Sequence, residues 1–173
     1  MSSRKAALKS VPLVLDAETR AHDDHHASLR LWLRLLSCTG QIESRIRQRL
    51  QLSFNTTLPR FDLMAQLERA PEGLKMSELS QRLMVTGGNV TGITDGLEKE
   101  GLVVREVDIA DRRINRVKLT SDGARQFRRM AAEHEQWIAD LFSALSPRQK
   151  GHLMALLGEL KAHVIGSKRG TTP

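Results

Sequence analysis

The 173-residue chain has no tyrosine and a single cysteine, Cys38. A lone thiol excludes an intramolecular disulfide and suits a reducing compartment. It lies among apolar residues of a helical stretch, where a thiol acts as an inert small hydrophobe. Aromatic residues make up only 3%, so any core must be built from Leu, Val, Ile, Met and Ala. No apolar run approaches the roughly 20 residues that a membrane span needs. The apolar stretch near the N-terminus is broken by Pro12 and closed by Asp16. That makes a poor signal peptide, and a cytoplasmic location without membrane contact is expected. Catalytic signatures are equally scarce. His134–Glu135 lacks the second histidine of HExxH, and neither a Gly-rich phosphate loop nor a G-x-S-x-G elbow occurs. Neither enzymatic activity nor a cofactor is expected. The nearest approach to a metal cluster is His22, His25 and His26 beside Asp23 and Asp24; without periodicity around it, it reads as a solvated charge run, and no metal site is assigned.

What is present is positive charge. The net charge is +7, which points to a polyanionic partner. Residues 28–52 carry Arg30, Arg34, Arg45, Arg47 and Arg49 against Glu43 alone, a net of +4. Residues 53–119 carry ten basic and ten acidic side chains, so nucleic-acid binding there must be argued from placement, not from bulk charge.

Periodicity gives the organisation. Residues 1–26 read as a flexible tail and 167–173 as a frayed end. Leu29, Leu33, Leu36, Ile42, Ile46 and Leu50 recur at helical spacing from Ala27 to Leu52. Around Leu29–Leu36 the apolar residues occupy more than one face, as in a helix packed on two sides. Pro59 suits the first turn of a second helix ending near Ala70, and APEGLK reads as a turn. Ser77 is expected to cap a short helix. After a break at Met84–Val85, Thr86 is expected to cap another that runs to about Glu100, with Gly101 stopping it. The period then changes to 2: residues 102–107 and 116–119 form strand candidates around the polar loop DIADRRIN. Thr120 or Ser121 starts a long helix to about residue 144, and Ser146–Pro147 a last one to about Val164. The fold class is mainly α with a small β-hairpin wing: a winged helix-turn-helix at 53–120, with helical regions 27–52 and 121–166 as a dimerisation platform.

The segments MSELSQRLMVTGGNVTGITDGLEKEGLVVRE and DIADRRINRVKLT carry a resemblance to the MarR family. Asp111, Arg113 and Leu119–Thr120 match that family's wing signature, and the resemblance covers roughly residues 28–165. It implies a transcriptional repressor that binds a palindromic operator in double-stranded DNA as a homodimer. Thr86 to Thr94 would begin a recognition helix, free of acids until Asp95. Thr86 lies at its start; Asn89 can pair bidentately with adenine, and Thr91 can reach a base edge or a thymine methyl. Gly87 and Gly88 are expected to let the backbone approach DNA, and Gly96 to serve packing. Many family members are basic near Gly92, where this chain is not. Arg112, Arg113 and Arg116 lie on or beside the wing loop. In the family pattern Arg113 enters the minor groove while Asp111 braces it; a solvated charged hairpin is the competing reading. Arg105 and Lys118 are expected to pair with nearby acids.

Family resemblance also implies a small-molecule effector. Arg30 and Arg34 share a helix face, which suits an anion as well as a salt bridge. Trp32, Phe61, His134 and Trp137 are the candidate contacts for an aromatic ligand, with core packing equally open for each. LRLWLRLLSCTGQIE and TTLPRFDLMAQLERAPEGL resemble the branch that represses hydroxycinnamate catabolism and answers to p-coumaroyl-CoA or feruloyl-CoA. An effector-independent architectural DNA-binding protein is the alternative.

Overall fold

The computed structural model describes residues 27–84, 86–107 and 115–167. The expectations placed on the tail, its histidines, the wing-loop residues Asp111, Arg112 and Arg113, and the last residues lie outside these. The chain divides into two compact units, Met1–Arg45 and Ile46–Pro173. In chain order the elements are α1 (Ala27–Phe54), α2 (Leu58–Glu68), β1 (Leu74–Lys75), α3 (Met76–Leu83), α4 (Gly87–Lys99), β2 (Val103–Val107), β3 (Asn115–Leu119), α5 (Ser121–Leu141) and α6 (Pro147–Ser167). The mainly helical fold with a small antiparallel sheet is as expected. No helix among the described residues is long and apolar enough to cross a membrane.

In the first unit the described residues are the N-terminal part of α1. Leu29, Leu31, Trp32 and Leu36 are exposed there, and so is Cys38. The thiol expected to act as an inert small hydrophobe is thus open to solvent in the single chain.

The second unit holds the core. Leu50, Leu63, Leu79, Val90, Leu97 and Val117 are inaccessible to solvent, and Met64 and Met130 nearly so, an aliphatic interior of the kind the composition demands. Asn55 ends α1 in the left-handed region (φ 48°), where asparagine is tolerated, and accepts from Gln51 Nε2 at 2.8 Å. Pro59 lies in the first turn of α2 as expected.

Two local readings are corrected. The stretch read as a turn contains a strand: β1 pairs antiparallel with β3, Leu74 opposite Val117 and Lys75 opposite Arg116, giving a sheet of order β1-β3-β2. Two residues are too few to show a period, and Gly73 (φ +80°) resembles an ordinary turn glycine in sequence. Nor does Ser77 cap α3. The N-cap is Lys75, because β1 runs directly into the helix and Glu78 accepts the Lys75 N–H at 2.8 Å.

The second strand pair is in register from Val103–Leu119 to Val107–Asn115. Thr120 starts α5 and its hydroxyl accepts from the Gly123 N–H at 3.0 Å while donating to Gly101 O at 2.7 Å. Gly123 is the packing glycine of the fold: a Cβ there would lie 1.9 Å from the Leu102 carbonyl oxygen. At Gly96 it would meet nothing within 4 Å, so the packing role expected of Gly96 falls to Gly123.

Candidate nucleic-acid interface

Helix α3, the turn at Met84 and helix α4 form a helix-turn-helix. Met84 makes the turn in the left-handed region (φ 54°), and is 93% exposed. Thr86 occupies the N-cap of α4 with extended backbone, but its side chain makes no capping hydrogen bond; its carbonyl accepts from Asn89 N and Val90 N.

The sequence of α4 divides its surface. Val90, Thr94 and Leu97 point into the core, at the spacing of one helical face. Thr94 is fully buried, and its hydroxyl is satisfied by donating to Val90 O at 2.8 Å. The opposite side presents Gly88, Asn89, Thr91 and Gly92, and Thr86 and Gly87 open the helix before its buried stripe begins; all six are exposed. No acid lies among these residues; Asp95, one turn further along the side of Thr91 and Gly92, is held by Arg105. Thr91 donates to Gly87 O at 3.0 Å, which leaves its methyl and oxygen lone pairs outward. Cβ atoms at Gly88 and Gly92 would meet nothing within 4 Å: no contact among the described residues requires these two glycines.

Acids enter α4 only in its second half, and arginines meet them. Arg105 of β2 pairs with Asp95 and Glu98, and Arg60 of α2 pairs with Glu100. Lys118 pairs with Glu106 across the strands at 2.9 Å, a contact that raises the lysine pKa despite some desolvation. Arg105 and Lys118 thus pair with acids as the sequence suggested. Arg116, read as a wing contact, is half-buried on β3 and donates to Gly73 O at 3.1 Å.

Of the candidate ligand residues, Phe61, His134 and Trp137 come together. The Phe61 and His134 rings are 4.9 Å apart, and those of His134 and Trp137 6.5 Å. Phe61 and Trp137 are buried, and partial burial lowers the His134 pKa. A cavity of about 490 Å³ is lined by Phe61 and His134, with Arg69, Arg82, Gln66 and Phe127 among its other walls. Trp137 is not a wall; its ring lies 6.1 Å from that of Phe54, tilted by 48°, and under Arg49. Arg69 and Arg82 went unnoticed in the sequence, since they fall in different elements and no local pattern links them. Arg30, Trp32 and Arg34 belong to the first unit, Arg34 and Trp32 exposed and Arg30 half-buried.

Helix-turn-helix followed by a sheet ribbon and a long helix defines a winged helix-turn-helix protein. Residues 54–114 match the family model described as MarR family. The chain is 34% identical to the uncharacterized HTH-type transcriptional regulator YkoM of Bacillus subtilis, over 70% of this chain and 77% of that one. It is 33% identical to the HTH-type transcriptional regulator PecS of Dickeya dadantii, over 62% of this chain and 66% of that one. A solved MarR family transcriptional regulator from Silicibacter pomeroyi superposes with a TM-score of 0.69 and 33% identity, over 83% of this chain and 99% of that one. The chain belongs to the MarR family of transcriptional regulators.

Proposed function

We propose that the protein binds operator DNA as a homodimer, inserting the outer face of α4 into the major groove, and represses transcription until a small aromatic effector releases it. The observation that carries this is the exposed, acid-free start of α4, where Asn89 and Thr91 stand beside Gly88 and Gly92, two glycines that no contact among the described residues requires. Asn89 is the base-reading residue, and Thr86 and Thr91 flank it. Arg113 is the wing residue that enters the minor groove, braced by Asp111; Arg112 and Arg116 add positive charge. Duplexes selected by the protein from a random pool provide the test. Asn89→Ala should cost about 1–3 kcal/mol of discrimination and leave affinity for random duplex unchanged. Equal loss on both would show that another residue reads the bases.

For the effector, the cavity beside Phe61 and His134 is within the roughly 300–1,000 Å³ range that takes compact organic ligands, and Arg69 and Arg82 on its wall favour an anion or a polarised carbonyl. The effector class we propose is a hydroxycinnamoyl-CoA thioester, p-coumaroyl-CoA or feruloyl-CoA: its aryl end suits the ring-lined cavity, while its phosphates call for arginines, for which Arg30 and Arg34 are separate candidates, as Trp32 and Trp137 are for its flat groups. Calorimetry with p-coumaroyl-CoA, p-coumarate and CoA separates the possibilities. The thioester should bind tightest, and Arg30→Ala with Arg34→Ala should weaken it while sparing DNA binding. Operator and thioester should weaken each other by the same factor. Equal affinity for the free acid would remove the thioester from consideration.

A further inference from the structure

Arg105 takes two carboxylates of the neighbouring helix at once. Its Nη2 donates to Asp95 Oδ1 at 2.5 Å, its Nη1 to Glu98 Oε2, and its backbone N–H meets Glu98 Oε1 at 3.3 Å. Asp95 and Glu98 are one turn apart on α4, and the planar fork of a guanidinium spans such a pair as an ammonium cannot. The arginine side chain is only 25% exposed, so water screens the pair less than it would on an open surface.

Its place in the fold gives the contact a further consequence. Between α4 and β2 the chain turns at Gly101 (φ +70°), whose N–H donates to Glu98 O at 2.9 Å and whose carbonyl accepts from Thr120; these bonds hold the base of the ribbon but reach no further along it. The ribbon begins buried, at Leu102, Val103 and Val117, and runs outward to exposed Glu106, Val107 and Asn115. Arg105 stands at the point where burial ends, and its clamp ties the ribbon back to α4 across the glycine joint. We propose that Arg105 is the positioning residue that makes recognition helix and wing one DNA-reading unit: the doubly held guanidinium fixes the angle at which the ribbon leaves α4, and so whether both reach one duplex together. The proposal rests on the DNA reading above.

A double-mutant cycle on the selected duplex tests it. Arg113→Ala alone should lower affinity about tenfold and flatten its salt dependence, since one positive group at the phosphates is lost. Arg105→Lys keeps the charge and loses the fork; it should lower affinity comparably, with the unfolding temperature of the free protein little changed. Combined, the two should cost scarcely more than either, because a wing that is no longer aimed has no contact left to lose. Glu98→Gln, which removes one prong, should behave like Arg105→Lys and serves if the latter folds poorly. Full tenfold losses that multiply in the double variant would overturn the coupling and leave the DNA reading standing. No loss from Arg113→Ala alone would overturn the wing's role in DNA binding, and the coupling with it.

Discussion

Helices α5 and α6 are each 21 residues long, yet they end in opposite environments. α5 buries Gly123, Phe127, Met130 and Trp137. α6 is exposed at every position from Gly151 to Gly166, with Met154 at 73% and Val164 and Ile165 at 52%. The more exposed helix still carries an apolar stripe: Leu153, Leu157, Leu160 and Val164 recur at spacings of four, three and four, as on one helical face. A stripe of that size left in water is the mark of an association surface. The difference teaches that the core closes around α5 and leaves the stripe of α6 in water, the surface on which the proposed homodimer would form.

The sharpest way to break the comparison is to charge the stripe. Leu157→Glu with Leu160→Glu should convert dimer to monomer in sedimentation at micromolar concentration and abolish specific DNA binding, a loss of more than about a hundredfold in affinity, since each half-site alone contributes about half the contacts. The unfolding temperature of the winged unit should barely move. A variant that stays dimeric would place the interface elsewhere. Gly123→Ala should do the reverse. Its methyl would collide with the Leu102 carbonyl, backbone that cannot swing aside, and should cost about 3 kcal/mol in urea unfolding with dimerisation surviving in the folded fraction. A cost under about 1 kcal/mol would mean that α5 shifts freely on the sheet.

Legibility in the sequence follows the same division. Helices with a clear apolar period, α1, α4 and α5, were readable to within a few residues, and so was the change to period 2 at β2. The family of the chain was readable from its helix-turn-helix and wing segments, because their turn glycines and strand residues occupy fixed offsets. Strand β1 was not, being two residues long, nor was Gly123, whose crowding depends on a carbonyl 21 positions earlier in the chain. Among site residues, Asn89 and Thr91 were legible as polar groups at the start of the recognition helix, but the burial of Thr94 on the other side of it was not. The approach of His134 to Phe61, and the presence of Arg69 and Arg82 around the same cavity, arise only when α2, α3 and α5 are packed, and no periodicity encodes that.

The smallest effect concerns His134, half-buried on α5 beside Phe61 at the wall of the cavity. Burial disfavours its charged form, so its folded pKa lies below the ordinary 6.5 while the unfolded chain titrates near that value. The unfolded state therefore binds more protons in this window, and stability contributed by the neutral ring is present above pH 6.5 and lost as pH falls through it. Wild-type protein should lose more stability between pH 7 and pH 5 than His134→Leu does, measured by urea unfolding at both. The same cavity sharpens the effector reading. A carboxylate bound near His134 stabilises the imidazolium, so p-coumarate should bind with proton uptake and more tightly at pH 5.5 than at pH 7. The acyl end of the thioester carries no charge and should show no such dependence. An NMR titration placing the His134 pKa at or above 6.5 in the free protein would remove the physical basis for both expectations, because the ring would then already hold its proton without cost.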